Sequence, residues 1–263
     1  MGVVRLLGLG IAYSASPHMQ RAAFAALGLD HRYELADVTA EELPAAVEGL
    51  RADGVLGANV TVPHKAAVLP LLDEVDELAM RVDAVNTIVA RDSRLAGSNT
   101  DIPALVDEIG RLGVHSRAVV LGAGGAARAV GLALEVVGVS DVTYVSRSGA
   151  EGSARWDLLP GLLSQGGLLV NATPVGTGSD ESPVPADLLH PGLAVLDLVY
   201  RPSPTRLVHD ARACGAVARS GAGVLLGQGW RSLEAWLGIS VTVGVRAAMA
   251  DALSAELGQG ADV

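Results

Sequence analysis

Aromatic residues and cysteine are scarce in this chain of 263 residues. Only 3% of the residues are aromatic although half are hydrophobic, so the core must consist mainly of Ala, Val and Leu. The single thiol, Cys214, excludes an internal disulfide and a cysteine-based zinc cluster, and it fits a reducing cytoplasm. The formal net charge of -10 argues against a nucleic-acid partner, which would need a basic face.

Long apolar runs are also missing. No uninterrupted apolar stretch reaches the length of about 18 residues that a membrane span needs. The apolar N-terminus is broken by Gly8 and Gly10 and contains Arg5, which favours a buried first strand, Val3–Gly8, over a secretion signal. No set of His, Asp and Glu has the spacing of a metal site on a helix, so no metal is expected.

What the chain does contain is an alternation of short apolar runs with helical stretches, which is typical of a parallel α/β architecture. Apolar residues recur at helical spacing over Ser16–Leu27, which predicts a helix there, and a further helix is predicted near Ala66–Leu72. The stretch Asn86–Asp101 is predicted to form a hairpin. The last helical material is predicted over Leu225–Leu257, after a glycine-rich turn.

A glycine turn, "LGAGGAARA", places Gly122, Gly124 and Ala127 in G-x-G-x-x-A spacing. It follows a predicted strand and opens a predicted helix, which is the context that the dinucleotide fingerprint requires. Gly122 permits the tight turn, Gly124 lets the backbone approach a pyrophosphate, and the helix N-terminus offers unpaired N–H groups to the phosphates. A turn that only joins strand and helix is the alternative, but the context favours a nucleotide.

The end of the next predicted strand bears on the choice of cofactor. An NAD site needs Asp or Glu there for the ribose 2′-hydroxyl. This chain has Ser146, Arg147 and Ser148 instead. Because Arg147 can bind a 2′-phosphate with two parallel hydrogen bonds, the sequence predicts NADP, with a solvated loop arginine as the alternative.

The stretch "GANVTVPHK" ends in a lysine, and Asn59, Thr61 and Lys65 fall at odd-numbered positions. In an extended chain these side chains would all point to one side. The simple interpretation is an exposed strand with a polar face. The alternative is the floor of a pocket for a ligand that carries several hydroxyl groups.

With these pieces placed, the chain resembles the shikimate dehydrogenase family over nearly its whole length. Each matching motif is weak alone, but the ordered set is highly specific. The motifs are YSASP (Tyr13–Pro17), NVTVPHK (Asn59–Lys65), AVNT (Ala84–Thr87), NTD (Asn99–Asp101), GAGGAARA, SRS, NATPVGT (Asn171–Thr177), DLVYRPSPT (Asp197–Thr205) and GQG (Gly227–Gly229).

The resemblance implies an NADP-dependent, reversible reduction of 3-dehydroshikimate to shikimate. It also implies an α/β fold of two domains around a cleft. An N-terminal α/β substrate domain (residues 1–101, completed by 224–263) would be followed by a Rossmann-like NADP-binding domain (residues 102–223), with the C-terminal helices returning to the first domain. The expected partner is the small-molecule substrate, with no nucleic acid and no membrane, for a monomer or homodimer in the cytoplasm.

The resemblance also assigns roles to individual residues. Lys65 would exchange a proton with the ketone or hydroxyl oxygen, and Asp101 would orient Lys65 and share the proton. A surface lysine and a helix cap before Pro103 are the alternatives for these two. The implied substrate ligands are Ser14, Ser16, Asn59, Thr61, Asn86, Tyr200 and Gln228. The implied cofactor ligands are Gly122, Gly124, Gly125, Ala126, Ser146, Arg147, Ser148, Thr173, Gly221 and Val224.

Ser14 and Ser16 are implied to hold the substrate carboxylate. On an extended segment both would face the cleft, with Ala15 facing away. His64, the neighbour of Lys65, is expected to point away from it and to be non-catalytic.

Departures from the family pattern leave alternatives open. Gln20 stands where a histidine is usual, Gly10 where a proline is common, and Val224 where a methionine is often found. The second basic cofactor residue is not clearly placed, and Arg155 is only a possible substitute. The alternatives are a quinate/shikimate dehydrogenase with NAD or relaxed cofactor use, a related substrate such as an amino analogue, and a non-catalytic nucleotide-binding sensor.

Overall fold

A computed structural model describes residues 1–147, 149 and 152–258. The chain divides into two compact units, each with its own sheet. The first unit comprises Met1–Asp101 and Leu226–Glu256, and the second is built mainly from Ile102–Leu225. Ser148 lies outside the described residues.

The first unit contains a mixed sheet with the strand order β2-β1-β3-β5-β6-β4. Strand β1 pairs in parallel with β2 and β3, while β3, β5 and β6 form antiparallel pairs and β4 adds to β6 in parallel. The strands are β1 (Val3–Gly8), β2 (Arg32–Asp37), β3 (Val55–Val60), β4 (Glu74–Val75), β5 (Thr87–Arg91) and β6 (Arg94–Ser98). The helices of this unit are α1 (Ser16–Ala26), α2 (Leu43–Glu48), α3 (Glu77–Val82) and α9 (Val243–Leu257).

The core of the first unit lies on the sheet and is almost entirely aliphatic, as the composition predicts. Leu7, Ala58 and Ile88 come from three neighbouring strands, and none of them is exposed. They pack in one cluster with Val47 of α2 and with Leu50, which follows that helix in the sequence. This packing fixes the ends of the strands from which the polar side chains described below project.

The second unit contains a parallel sheet with the order β12-β11-β10-β7-β8-β9. Its strands are β7 (Arg117–Leu121), β8 (Asp141–Ser146), β9 (Ala154–Arg155), β10 (Gly167–Asn171), β11 (Leu193–Asp197) and β12 (Val217–Ser220). Its helices are α4 (Asp101–Arg111), which starts at the last residue of the first unit, α5 (Gly125–Val136), α6 (Leu159–Leu163) and α7 (Arg206–Ala213). Helix α8 (Ala222–Leu237) begins in the second unit and ends in the first.

The strand order of the second unit reverses next to β7. The chain runs outward through β8 and β9 and then returns to the other side of β7 as β10. In open parallel sheets, ligands bind beyond the carboxyl ends of the strands at such a reversal. Here the loops at that position begin with Gly122 and Ala172.

The helix predicted near Ala66–Leu72 is wrong. The chain forms turns there and a short 3-10 segment, Leu69–Leu71. Pro70 has no N–H to donate and disfavours the helical conformation of the residue before it, which explains why a regular helix does not form. None of the helices within the described residues combines the length and the apolar character of a membrane span.

Candidate active site

Lys65 and Asp101 form an ion pair in the first unit. Lys65 Nζ lies 2.7 Å from Asp101 Oδ2, and the two side chains are 32% and 19% exposed. Lys65 is the only lysine of the chain. Its carbonyl oxygen accepts a hydrogen bond from Val85 N at 2.8 Å, which ties the lysine turn to the segment that carries Asn86. The pair is therefore held by the backbone while remaining accessible to a small molecule.

Asn86 fixes the other oxygen of Asp101. Its amide nitrogen donates to Asp101 Oδ1 at 2.8 Å and to Thr100 Oγ1 at 2.9 Å, while its oxygen accepts from Thr100 N at 2.8 Å. The Asn86 side chain is buried. The backbone N of Asp101 donates a further hydrogen bond to the side-chain oxygen of Asn99 at 3.0 Å. The segments "AVNT" and "NTD" are thus linked by hydrogen bonds that orient the Asp101 carboxylate.

Lys65 is presented by a turn and not by a strand. Strand β3 ends at Val60, and His64 N then donates to Thr61 O at 2.9 Å, which closes a turn. The prediction that Asn59, Thr61 and Lys65 share one face of an extended chain is therefore wrong in its local geometry. His64 is buried, and its Nε2 lies 2.6 Å from Val38 O, so its ring is used to anchor the turn. Thr61 is half-buried directly after the strand.

Asn59 points into a buried set of polar side chains. Its amide nitrogen donates to Ser232 Oγ at 3.0 Å, to Asn86 O at 3.1 Å and to Thr87 Oγ1 at 3.3 Å. Its oxygen accepts from the hydroxyl of Tyr33 at 2.8 Å. The predicted ligand Asn59 thus uses its amide on protein groups, and it belongs to the same hydrogen-bond network as Asn86.

Ser14 and Ser16 lie at the start of helix α1. The predicted extended conformation is wrong here, because Ala15 has helical angles (φ -82, ψ -9) and the helix begins at Ser16. The N-cap residue Ala15 has no side chain that can cap the helix, but Ser14 Oγ accepts from Ser16 N at 3.3 Å, and Pro17 has no N–H to donate. The partial positive charge of a helix N-terminus favours a carboxylate. Ala15 is fully buried between the two serines.

Gln228 comes from α8 and is buried in the first unit. The backbone carbonyl oxygen of Gln228 accepts from Ser232 Oγ at 3.0 Å, which connects this residue to the network around Asn59. Gln20, which replaces the usual histidine, donates from its amide to Gly229 O at 2.9 Å. Helix α1 is therefore bonded to the part of α8 that carries Gln228.

In the second unit the glycine turn has the shape that a dinucleotide needs. Gly122 has φ +113, a conformation that favours glycine, and a Cβ there would lie 3.1 Å from Ala172 O. A Cβ on Gly124 would have no heavy atom of the described residues within 4 Å. Gly124 is also the N-cap residue of α5, without a side chain to cap it, and Ala127 is buried in that helix. Open space beside free N–H groups fits a pyrophosphate, with Gly125 and Ala126 exposed in the same turn.

Arg147 is exposed directly after β8 and borders a cavity of about 350 Å³. Residues from the loops after β8 and β10 line this cavity. They are Arg147, Trp156, Thr173, Val175, Glu181, Ser182 and Pro183. Ser146, at the end of β8, is buried. No sequence motif marks Trp156 or Glu181, so only the folded chain reveals that they share a cavity with Arg147.

Thr173 is held by Asn171, whose amide is in turn bonded to the buried carboxylate of Asp197. Its backbone N and its hydroxyl donate to Asn171 Oδ1 at 3.0 Å and 2.7 Å. Asn171 in turn donates to Asp197 Oδ1 at 2.8 Å, and Thr205 donates to Asp197 Oδ2 at 2.7 Å. Burial raises the pKa of Asp197 to about 6, although the hydrogen bonds from Thr205, Val199 N and Asn171 lower it. The motifs "NATPVGT" and "DLVYRPSPT" thus meet at Asp197.

The remaining predicted residues of the second unit lie after β11 and β12. Tyr200 is half-buried, and Val224 is half-buried in the first turn of α8. Gly221 is packed so closely against Leu198 O that no Cβ can be accommodated. Among the described residues, no group of three or more His, Cys, Asp or Glu side chains is placed to hold a metal ion.

The chain is similar to known proteins over nearly its full length. Residues 6–88 match the model of the family described as shikimate dehydrogenase substrate binding domain. The shikimate dehydrogenase (NADP(+)) of Rubrobacter xylanophilus is 42% identical over 275 residues, covering 97% of this chain and 96% of that protein. The protein of the same name from Symbiobacterium thermophilum is 41% identical over 261 residues, covering 90% of this chain and 89% of that protein.

A solved structure gives the same picture. The crystal structure of shikimate 5-dehydrogenase from Thermus thermophilus in complex with NADP(H) and shikimate has a TM-score of 0.88 and 35% sequence identity. The match covers 98% of this chain and 100% of that one.

Proposed function

The chain belongs to the shikimate dehydrogenase family, and on this premise we propose that Lys65 and Asp101 transfer the proton in the reversible reduction of 3-dehydroshikimate to shikimate. It is an NADP-dependent oxidoreductase. The observation that carries the proposal is the 2.7 Å contact between Lys65 Nζ and Asp101 Oδ2, with the second carboxylate oxygen fixed by Asn86. Each role below rests on that arrangement.

The reduction needs a hydride at the carbonyl carbon and a proton at the carbonyl oxygen. The nicotinamide of NADPH supplies the hydride. Lys65, as an ammonium, donates a hydrogen bond to the ketone oxygen and then gives it the proton as the hydroxyl forms. In the oxidation of shikimate, neutral Lys65 takes the proton from the same hydroxyl. Asp101 accepts a second N–H of Lys65 and so holds the nitrogen in one orientation.

The substrate is an anion that carries hydroxyl groups, and the first unit offers matching donors. Ser14, Ser16 and the N-terminus of α1 would hold the carboxylate, and Thr61, Asn86 and Gln228 would bind hydroxyl groups. In the second unit, Arg147 would bind the 2′-phosphate of NADP and the glycine turn its pyrophosphate. We place the enzyme in the cytoplasm, where one free cysteine is compatible with the reducing conditions, as a monomer or homodimer.

A direct assay tests the function. The purified protein is given shikimate or quinate, each with NADP or NAD, and formation of the reduced cofactor is followed by absorbance. The expected result is turnover of shikimate with NADP. Faster turnover of quinate, or of NAD, would replace the proposal with the quinate/shikimate alternative, and no turnover of either acid would contradict it.

Replacing Arg147 with alanine is expected to raise the KM for NADP and to leave the KM for NAD nearly unchanged. The expected loss is about 1–3 kcal/mol, the scale of a charge-assisted hydrogen bond to a phosphate. Steady-state kinetics with both cofactors measures it. Arg94→Ala is the control, because Arg94 pairs with Glu74 on the surface of the first unit. Equal changes for NADP and NAD would mean that Arg147 does not read the 2′-phosphate.

Ser14→Ala and Ser16→Ala are each expected to raise the KM for shikimate about tenfold or more, because each removes one donor to a charged acceptor worth about 1.5–3 kcal/mol. The KM for NADP should not change. Ser164→Ala is a suitable control, since that hydroxyl bonds to Gly161 O on the surface of the second unit. Normal KM values for shikimate in both variants would show that the substrate carboxylate is not bound at the start of α1.

A further inference from the structure

Glu108 is a buried carboxylate of the second unit that the proposed mechanism does not use. It lies on α4, and its side chain is 1% exposed. Arg219 of β12 donates from Nε to Glu108 Oε2 at 2.6 Å, and Arg111 donates from Nη1 to Glu108 Oε1. A buried charge is tolerated only when it is paired in this way. Because each oxygen accepts from a different guanidinium group, the carboxylate is held in one orientation.

The third neighbour of this carboxylate is the backbone of the first turn of α8. A Cβ added to Gly223 would overlap with the carboxyl carbon and both oxygens of Glu108. The carboxylate therefore occupies the space in which a side chain at position 223 would lie. A negative group beside the N-terminus of a helix is favourable, because that end carries a partial positive charge. Glu108 thus packs α4 against the β12–α8 turn, which we define as Ser220–Val224.

The same turn is fixed at a second point by the loop that follows β11. Gly221 N donates to Val199 O at 3.2 Å, and Gly221 is packed against Leu198 O. Gly221 O then accepts from Leu225 N at 2.9 Å in the first turn of α8. The peptide groups between Gly221 and Gly223 are consequently held from both ends, one by the loop and the other by Glu108.

The sheet topology places this turn on the nicotinamide side of the proposed cofactor site. The strands of the second sheet are parallel, so the segments that follow β7, β8 and β12 all leave the same edge. With Arg147 after β8 on the 2′-phosphate and Gly122 after β7 on the pyrophosphate, a dinucleotide that crosses the reversal extends its other half away from β8. In the order β12-β11-β10-β7-β8 that direction leads to β12. It agrees with the prediction of Gly221 and Val224 as cofactor ligands.

We propose that Glu108 is a positioning residue for the nicotinamide half of the cofactor, because it holds the β12–α8 turn in the conformation that receives the ring. A turn that is ordered in advance loses less entropy on binding. Hydride transfer also requires a fixed orientation of the ring towards the substrate. Glu108 acts through Gly223 and Arg219, and its carboxylate is used entirely within the protein.

The inference rests on the proposed function, and Glu108→Gln tests it with little change in shape. An amide has one oxygen, so its NH2 group must face Arg219 or Arg111, and one of the two contacts is lost. Calorimetric titration compares two probes, NADP and 2′-phospho-ADP-ribose, which is NADP without its nicotinamide ring. The affinity for NADP is expected to fall about three- to tenfold, whereas the affinity for the ring-free probe should change by less than about twofold.

The ratio of the two affinities does not depend on the fraction of folded protein, since each dissociation constant refers to the folded form. A purely structural role of Glu108 would weaken both probes equally or neither, and either result overturns the inference. A wild type that binds NADP no more tightly than the ring-free probe overturns it as well. Asp210→Asn is the matched control, because Asp210 of α7 pairs with Arg206 Nε at 2.7 Å in the same unit. This variant should bind both probes like the wild type.

A double-mutant cycle asks whether Glu108 acts through Gly223. Gly223→Ala is expected to weaken NADP about threefold or more, although alanine is the better helix former, because the added methyl group displaces the carboxylate. In the Glu108→Ala background the space is open, so the same substitution should change the affinity for NADP by less than about twofold. Losses that multiply, or a Gly223→Ala variant that binds NADP normally, would contradict the inference.

The wild type separates this inference from the proposed function. If it binds neither probe and does not oxidise shikimate, the proposed function fails and the inference fails with it. If the wild type oxidises shikimate with NADP and Glu108→Gln keeps the wild-type ratio of affinities, the inference alone is wrong.

Discussion

Replacing Lys65 with methionine is expected to lower the turnover of shikimate by about two to four orders of magnitude, the usual contribution of a positioned acid–base group. Methionine keeps most of the length and the apolar stem of lysine but has no exchangeable proton. Because Lys65 is the only lysine of the chain, no other ε-amine can take its place. The KM for shikimate should change far less, since the hydroxyl and carboxylate donors remain. Stopped-flow or steady-state measurement of NADPH formation provides the comparison.

A control variant comes from the ion pair between Arg51 and Asp73 in the same unit, in which Arg51 Nη1 lies 2.6 Å from Asp73 Oδ2. Arg51→Met removes a cation from a carboxylate in the same way, on the surface and outside the proposed site. Its turnover should match that of the wild type. Lys65→Met with near-normal turnover would exclude Lys65 as the proton donor, and an equal loss in Arg51→Met would show that the effect is one of folding.

Asp101→Asn is expected to lower turnover by about two orders of magnitude, for a reason that the geometry supplies. Both oxygens of Asp101 accept from nitrogen donors, one from Lys65 Nζ and the other from Asn86 Nδ2. An amide has only one oxygen, so its NH2 group must face one of these donors. Either Lys65 loses its acceptor or Asn86 is displaced, and the lysine is no longer held in one orientation.

The double variant Lys65→Met/Asp101→Asn provides the decisive measurement. Residues that act as one unit show effects that do not multiply, so the double variant should be within about threefold of Lys65→Met alone. Fully multiplicative losses would mean that Asp101 acts independently of Lys65. Asp73→Asn, the same substitution in the surface pair, should leave turnover unchanged.

The parts of the fold that were predictable are those whose signals are local. Alternating apolar runs predicted the α/β class, and this is confirmed by the parallel sheet of the second unit and by the structural match. The strand–glycine–helix order around Gly122 and the absence of an acid beside Arg147 predicted NADP, and relatives named as NADP(+) enzymes confirm it. The residue roles stay predictions that the experiments above address.

Other features depended on signals that are weak or not local. Helix α3 went unpredicted, although Asp76 caps it by accepting from Ala79 N at 2.7 Å and Glu77 follows in the first turn. The prediction of a helix near Ala66–Leu72 was wrong because it gave too little weight to Pro70, which interrupts regular helix formation. The helix predicted from Ser16 is confirmed, whereas the extended chain assumed for Ser14–Ser16 is wrong because Ala15 already has helical angles.

The buried network around Asn59 could not be predicted from local patterns at all. Tyr33 and Asn59 are 26 residues apart, and Asn59 and Ser232 are 173 residues apart. Whether an asparagine faces a ligand or the interior depends on which distant segments cover it. Sequence motifs predicted Asn59 as a substrate ligand, but only the tertiary contacts show which groups its amide binds.

The chain order of the two units has a consequence for biosynthesis. The second unit takes nearly all of its residues from one range, Ile102–Leu225, whereas the first needs segments from both sides of that range. Ribosomes deliver residues in sequence, and domains generally fold as units as they emerge. The nucleotide-binding unit can therefore fold while the substrate unit still lacks Gln228, Ser232 and Trp236. A chain that stalls after Leu225 therefore carries the glycine turn without the segment that completes the hydrogen-bond network around Asn59.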